Sequence, residues 1–176
     1  MPKVTAEKIL LGHGVITIGA IPVGLTRGGS AFVVEREMRQ IEADGDRGPV
    51  KGRIVIDSEV AKLTVKALEL FNAEDMTKYY PGTSLTELST GDPPTVTGNK
   101  WTSTLKISEG DYNDVTWTGK TKDGKSVVIK LENALNMGNI EWTLEDKNEA
   151  VPELEFTATY DETTRDTPPW NVEFAA

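Results

Sequence analysis

Apolar and polar residues alternate along much of the chain, and this period of two predicts strands rather than helices. The segments that read as strands are residues 15–23, 31–41, 101–107, 115–118, 127–132, 140–144 and 154–160. With the segment around Ile54 they make roughly eight strands separated by turn residues. The pattern therefore predicts a mainly β fold, either a β-sandwich or a barrel, with one short flanking α-helix.

The alternation changes parity between residues 54 and 67. Ile54 and Ile56 are apolar at even positions, whereas the apolar residues of 61–67 fall at odd positions. One extra residue turns every following side chain to the other face of a sheet, so a bulge or tight turn is expected at residues 57–60. A helix that runs from residue 60 to Leu70 is the alternative.

The flanking helix is expected at about residues 73–80. Asn72 can cap its start, Lys78 lies in its last turn, and Pro81 and Gly82 end it. Three connecting segments are expected to be turns or loops: a glycine-rich turn at residues 24–30, a polar loop at 42–52 and a long Thr/Ser/Pro/Gly-rich loop at 83–100.

Residues 119–126 read GKTKDGKS and match the phosphate-binding pattern G-x-x-x-x-G-K-[ST]. That pattern binds phosphate where a helix follows it, but the next residues are Val-Val-Ile, which favour a strand. The Asp-Gly pair inside the octapeptide is typical of a β-hairpin. A three-residue loop at 122–124 places Trp117 opposite Ile129, with the glycine in the left-handed conformation that it tolerates. The sequence therefore predicts a hairpin here and not a nucleotide site.

Charge is distributed unevenly along the chain. The 176 residues carry a net charge of −9, with 38% hydrophobic and 27% charged residues, which is typical of a globular protein. Residues 132–176 hold eleven acidic and two basic residues, whereas the first 131 residues are balanced. Nucleic-acid binding needs clusters of Lys and Arg, so this asymmetry argues against it. It suits either a surface that repels DNA or an ordinary solvated acidic face.

Residues that could carry out chemistry are isolated. His13 is the single histidine, and the chain has no cysteine, so a catalytic triad or a zinc site is not expected. Ser30 lacks the nucleophile-elbow pattern, and Asp44-Gly45-Asp46 lacks the spaced ligands of a calcium loop. The carboxylates near the C-terminus could be paired into a glycosidase-like dyad, but nothing in the sequence fixes their separation. We therefore expect a protein that is not an enzyme and has no cofactor or metal.

Several segments together resemble the major tail tube proteins of long-tailed bacteriophages, and the similarity of pattern and order spans nearly the whole chain. The segments that carry it are Ile21-Pro22-Val23-Gly24, Thr26-Arg27-Gly28-Gly29, the loop at 44–52, residues 60–76, Tyr80-Pro81-Gly82, residues 155–161 and Pro169-Trp170-Asn171-Val172. The resemblance implies a single domain that assembles into stacked hexameric rings. These rings form a tail tube through which DNA leaves the virion.

The resemblance also implies partners and a location. The chain would pair with copies of itself and meet the tape measure, terminator and baseplate proteins of the tail. DNA would pass without specific binding. The protein would assemble in the bacterial cytoplasm and belong to the virion tail, with no membrane contact. The expected organisation is an N-terminal arm at residues 1–14, a β core at 15–162 and a C-terminal arm at 163–176.

Three sets of residues are candidates for roles in such an assembly. Trp170 is the expected anchor of the C-terminal arm. The candidates for contact with the next ring are Asp44, Gly45, Asp46, Arg47, Gly48 and Lys51. The acidic candidates for the lumen are Glu132, Glu141, Glu145, Glu153 and Glu155. An acidic lumen would keep DNA from adhering, because it offers no basic groups to displace the counterions of DNA.

Two other kinds of protein remain open at this point. A carbohydrate-binding or adhesin-like β-sandwich would use its four tryptophans, Trp101, Trp117, Trp142 and Trp170, as an exposed aromatic row, although the alternating strands favour core packing for the first three. A tail terminator or baseplate adaptor would form rings without indefinite stacking.

Overall fold

The chain folds almost entirely into antiparallel β-strands. A computed structural model describes residues 8–69 and 72–175. The strands are β1 (Leu10–Ile18), β2 (Ile21–Pro22), β3 (Thr26–Gln40), β4 (Ile54–Ala67), β5 (Thr83–Thr90), β6 (Thr95–Ser103), β7 (Asn113–Thr121), β8 (Ser126–Asn136), β9 (Glu153–Thr157) and β10 (Trp170–Phe174). The one α-helix in the described residues is α1 (Met76–Tyr79), and a 3₁₀ turn spans Glu109–Asp111.

Eight of the strands form two sheets joined by β8. Sheet 1 has the order β2-β1-β7-β8, and β10 pairs with the other side of β8. Sheet 2 has the order β3-β4-β9, and the last residues of β8, Leu135 and Asn136, pair with β9. Within the described residues the sheets do not close into a barrel, so the predicted mainly β fold is confirmed as a β-sandwich-like arrangement.

The core lies between the inner faces of the two sheets. Sheet 1 contributes Ile16, Ile18, Val115, Trp117 and Leu131, and sheet 2 contributes Ala61, Leu63, Val65, Leu154 and Phe156. Because the side chains of a strand alternate between faces, each of these sets follows a period of two. Burial of such side chains contributes about 1.5–3 kcal/mol each to the stability of the fold.

The parity change in the sequence is a β-bulge inside one continuous strand. Glu37 pairs with Ser58 and Met38 pairs with Ile56, which leaves Asp57 as the extra residue. The bulge lets Ile56 and Ala61 lie on the same face of β4 although their parity differs. The prediction of a bulge near residues 57–60 is therefore confirmed. The alternative helix is wrong over its described part, while its last residue, Leu70, lies outside the described residues.

The octapeptide at residues 119–126 is a hairpin between β7 and β8, as predicted. Trp117 pairs with Ile129, and the backbone N–H of Thr121 donates to the carbonyl of Lys125 across a three-residue loop. Gly124 has a φ of 85°, the left-handed conformation expected of it. A strand and not a helix follows Ser126, so the phosphate-binding geometry is absent from this segment.

Three segments differ from their predicted secondary structure. Residues 83–100, expected to be a loop, lie mostly in the β5–β6 hairpin, because threonine favours strands even where the apolar residues do not alternate regularly. The strand expected at 101–107 ends at Ser103. The strand expected at 140–144 is irregular, because Trp142 packs inward while Ile140 and Leu144 point to solvent.

The expected turn and arms also contain strand residues. The glycine-rich segment 24–30 is largely the start of β3, where Gly28 and Gly29 have positive φ and disturb the register with β4. β1 begins at Leu10, within the expected N-terminal arm, and β10 lies within the expected C-terminal arm. Residues 1–7 of the N-terminal arm and Ala176 lie outside the described residues.

The helix is shorter than predicted and is held to the sheets by a buried asparagine. Asp75, not Asn72, occupies the cap position of α1. The side chain of Asn136, buried at the end of β8, donates to the carbonyl of Tyr79 at 2.7 Å and accepts from the backbone N–H of Gly138 and Glu155. Buried polar groups are tolerated when they are hydrogen-bonded, so Asn136 fixes α1 where sheet 1 meets sheet 2.

Aromatic side chains pack beside the helix. The rings of Trp101 and Trp142 are stacked at 5.7 Å, and each also contacts Tyr80. The Tyr80 hydroxyl accepts a hydrogen bond from Trp142 Nε1 at 3.0 Å. Burial raises the pKa of Tyr80, and burial together with Asp75 and Glu69 raises that of Tyr79. These rings pack against the core and do not form an exposed aromatic row.

We expect Gly124→Ala to lower the free energy of unfolding by about 1 kcal/mol, because a Cβ atom is disfavoured in the left-handed region. Urea titration monitored by tryptophan fluorescence measures this. Gly48→Ala is the matched control, since Gly48 is also a loop glycine but lacks a positive φ and has open space around its Cβ position. Equal stability of the two variants would contradict the hairpin geometry.

We expect stability to fall as the pH rises above 10. A tyrosine whose pKa is higher in the folded state stabilises the protein below its unfolded pKa of about 10.0, and this contribution is lost as the pH rises through the folded pKa. Tyr79→Phe removes the ionisable hydroxyl, so its unfolding free energy should decline less steeply above pH 10 than that of the parent. Parallel alkaline profiles from denaturant titrations would show that Tyr79 does not contribute.

Candidate assembly surface

One edge of sheet 1 is β10, and half of its backbone groups are unpaired. The N–H of Glu132 donates to the carbonyl of Pro169 at 2.7 Å, and the N–H of Ala175 donates to that of Ser126 at 2.9 Å. Hydrogen-bonded residues alternate along an antiparallel ladder, so the even-numbered residues of β10 direct their N–H and C=O groups away from β8. Among the described residues no strand pairs with this edge. A free edge is a template for another strand.

A second region with unpaired strand edges lies between β1 and β3. Residues 10–15 of β1 pair with β7 on one side only, and β3 is the outer strand of sheet 2. Residues 28–34 of β3 contain no charged side chain, although charges commonly protect exposed edges. Between these edges lies a depression of 190 Å³ lined by Leu10, Gly12, Ser30, Phe32, Leu63, Trp117 and Ile129. The sandwich is therefore open along one side.

Trp170 anchors β10 to sheet 2. Its Nε1 donates to Glu59 Oε1 at 2.7 Å, and its ring lies 5.7 Å from that of Phe32. The other oxygen of the Glu59 carboxylate accepts from Arg36 Nε at 2.6 Å. Glu59 is largely buried at this contact, so both bonds form where water is scarce and charge-assisted hydrogen bonds are strong. The anchor predicted at Trp170 thus has specific partners within its own chain.

The loop at residues 42–52 connects β3 to β4 and is braced from within. Asp46 Oδ2 accepts from the backbone N–H of Ala43 at 2.9 Å and from Arg53 Nη1 at 2.7 Å. Gln40 Nε2 donates to the carbonyl of Gly48 at 3.1 Å. The other candidate residues of this loop, Asp44, Gly45, Arg47 and Lys51, are exposed. The structure thus gives the loop a defined shape with free charges at its tip.

Three of the five acidic candidates come together on one surface. Glu141, Glu153 and Glu155 line a depression of 560 Å³ that also touches Thr143 and Val151. A neighbouring depression of 360 Å³ shares the last two residues and includes Glu145, with Arg27 and Glu149 paired at 2.8 Å on its rim. The pKa of the Glu149 carboxyl is lowered, mostly by a hydrogen bond from the backbone N–H of Glu149 and next by the hydrogen bond from Arg27. Four candidates therefore belong to one acidic region.

Glu132 does not line this acidic region. Its carboxylate lies 3.3 Å from Lys130 Nζ, which also contacts Asp114 at 2.9 Å. The hydrogen bond to Asp114 raises the pKa of Lys130, and the contact with Glu132 adds to the shift. This ammonium offsets part of the negative charge of Glu132, as Lys66 Nζ at 3.5 Å does for Glu153.

Apolar side chains at both ends of the sandwich are exposed, and sequence reasoning missed them. Met38, Ile54 and Ile56 are exposed on the β3–β4 hairpin, and Phe174 is exposed on β10. All four follow the alternating pattern, so they read as core positions. The alternating pattern shows which face of a strand a side chain is on, but it does not show whether another sheet covers that face.

Two kinds of feature are absent from the described residues. In residues 8–69 and 72–175, no group of three or more His, Asp or Glu side chains could hold a metal ion. No helix in the same residues is long and apolar enough to span a bilayer.

Comparisons with known proteins find similar chains among the solved structures. No family model and no curated protein matches the chain. A solved structure described as "Virion of native gene transfer agent (GTA) particle" is similar to it over 93% of this chain and 95% of its own, with a TM-score of 0.49 and 10% identity.

We expect the Trp170–Glu59 contact to show as coupling in a double-mutant cycle. Trp170→Phe removes the donor but keeps an aromatic ring beside Phe32, and Glu59→Ala removes the acceptor. The coupling free energy between the two substitutions should be about 1.5–3 kcal/mol, as for a hydrogen bond to a charged group. Urea titrations of the parent, both single variants and the double variant measure it. Strict additivity would show that the bond does not hold β10.

Proposed function

We propose that this chain is a virion structural protein whose copies form stacked rings, most simply hexameric, that build the tube of a phage tail. Such a tube is a conduit for DNA ejection. The observation that carries the proposal is the set of open strand edges on β1, β3 and β10 within the described residues. The order of segments shared with tail tube proteins supports it.

Open edges have a physical explanation in a ring. Unpaired backbone groups on exposed strands invite pairing with other chains, and a ring that closes edge to edge satisfies all of them. Stacking of rings is a head-to-tail contact that does not close, so it propagates as a filament. In a monomeric sandwich, an uncharged open edge such as that at residues 28–34 would promote aggregation.

The loop at residues 42–52 is the proposed contact with the next ring. Its internal hydrogen bonds hold it in shape before assembly, which lowers the entropy lost on binding. Arg47 and Lys51 at its tip form no ion pair among the described residues. On a chain with a net charge of −9, these cations would be attracted to a neighbouring copy.

The acidic region around Glu141, Glu145, Glu153 and Glu155 is proposed to face the channel. A lumen with this charge repels the phosphates of DNA, so the genome can slide without being held. By the same proposal, the other partners are the tape measure, terminator and baseplate proteins. Assembly takes place in the host cytoplasm.

Electron microscopy of the purified protein at raised concentration tests the proposal. Long tubes of uniform width are expected. Single rings of one size would favour a terminator or baseplate adaptor instead. Monomers that bind glycans would favour a carbohydrate-binding module, although the stacking of Trp101 and Trp142 within the fold argues against an exposed aromatic row.

We expect the double variant Arg47→Glu and Lys51→Glu to form rings but not tubes, because two attractive charges become repulsive toward an acidic neighbour. Lys100→Glu with Lys106→Glu is the matched control, since it makes the same change in net charge at two exposed lysines outside the loop. Counting rings and tubes in micrographs gives the result. Tubes of normal length from the loop variant would remove this loop from the stacking contact.

A further inference from the structure

The two sheets of the sandwich do not cover each other completely. Each sheet carries the apolar pattern of its inner face beyond the region where the other sheet lies against it. The uncovered part of sheet 2 is the end of the β3–β4 hairpin, and the uncovered part of sheet 1 lies beside the β7–β8 turn and the end of β10.

The first surface, the hairpin end, consists of Met38, Ile54 and Ile56, which are 62%, 54% and 54% exposed. Phe32 pairs with Leu63 and points to the core, and even-numbered residues of β3 share that face, so Met38 continues it. The Asp57 bulge places Ile56 opposite Met38 on the same face. Beyond the Arg36–Glu59 ion pair, this face carries no charged side chain along the two strands.

The second surface, the terminal groove, has a volume of 380 Å³ and an apolar floor. Its lining includes Lys8, Leu10, Asp123, Lys125, Val127 and Phe174. Phe174 pairs with the buried Val127 and therefore lies on the inner face of sheet 1, yet it is 74% exposed. Leu10 is 45% exposed and also borders the opening above Trp117.

We propose that the hairpin end of one copy packs into the terminal groove of a second copy. This inference rests on the proposed function in so far as the partner is another copy of the same chain. The contact joins an extension of the sheet 2 inner face to an extension of the sheet 1 inner face. These are the same two faces that pack against each other in the core of every copy.

The structure favours a second copy as the occupant for two reasons. Every copy carries both surfaces, and both are exposed in the same subunit, so neither covers the other within one chain. The charges at the borders are also complementary. Lys8 and Lys125 border the groove beside a single acid, Asp123. Glu42 and Asp44 follow the hairpin end into the loop, and neither they nor the two lysines form an ion pair among the described residues.

A contact between two different surfaces of identical chains is head-to-tail. Such a contact produces rings or filaments and not closed dimers. Burial of the apolar side chains would supply a driving force that the backbone edges lack, because the hydrophobic effect grows with the apolar area removed from water.

Disulfide trapping tests the contact, because the chain has no cysteine of its own. One preparation carries Ile56→Cys, and a second carries Phe174→Cys and an affinity tag that changes its mass. The two are mixed, assembled and oxidised. A disulfide needs Cβ atoms about 3.5–4.5 Å apart, so a mixed dimer reports contact between copies. Ile54→Cys with Leu10→Cys is a second pair for the same contact.

The control pair is Arg39→Cys with Glu173→Cys. These residues are exposed on the same β3–β4 hairpin and on β10, but they point to the opposite faces. The proposal expects mixed dimers from at least one of the two test pairs. It expects no mixed dimers from the control pair. Equal cross-linking in the control pair would overturn it, because the links would then report random collision.

Electron microscopy of the same samples separates this inference from the proposed function. Tubes or rings without mixed dimers from either test pair would overturn the contact between the hairpin end and the terminal groove and leave the assembly intact. Monomers at every concentration would overturn both. All four test positions are exposed, so these substitutions should leave the subunit folded, which circular dichroism checks.

Discussion

A single strand, β8, belongs to both sheets, and the arrangement of the whole molecule depends on it. Its first half pairs with β7 and β10, and its last two residues pair with β9. The chain therefore passes from one layer of the sandwich to the other without a loop, and Asn136 fixes the helix at this corner. The sheets are joined on this side, and on the opposite side the edges of β1 and β3 remain open.

The open borders and the uncovered inner faces have the same origin. Sheet 2 is carried past the core by a long hairpin, and sheet 1 extends past it at the β7–β8 turn. The Trp170–Glu59–Arg36 contact holds the layers together between these two regions. The described part of the subunit thus has unpaired backbone groups and exposed apolar side chains at its margins, as the proposed assembly requires.

Most of the sheet structure could be predicted from the period of the sequence. The β7–β8 hairpin followed from matching Trp117 with Ile129, and the bulge at Asp57 followed from a change of parity. The β5–β6 hairpin could not be found in this way, because its few apolar residues follow no period of two: these are Leu85, Leu88, Val96 and Trp101. Trp142 was misread for the opposite reason, since a loop side chain can pack into a core as well as a strand side chain.

The candidate surface was less predictable than the fold. The sequence pointed to the loop at residues 42–52 and to Trp170, but it grouped Glu132 with acidic residues that lie in another region. Charge along a chain says little about which carboxylates share a surface, because that depends on the path of the strands. The exposed ends of the inner faces were hidden for a related reason. Phe174 follows the same period as Trp170 and Val172, which are partly buried, and only the extent of the other sheet distinguishes Phe174 from them.

The β5–β6 hairpin has a practical consequence of its own. Its two strands pair only with each other among the described residues, and the exposed turn at residues 91–94 ends it. A foreign peptide inserted at this turn would lengthen the exposed end of the ribbon, at the opposite end from Trp101, without moving either layer of the sandwich. On a particle built from many copies, the turn would serve as a position for multivalent display of epitopes or affinity labels.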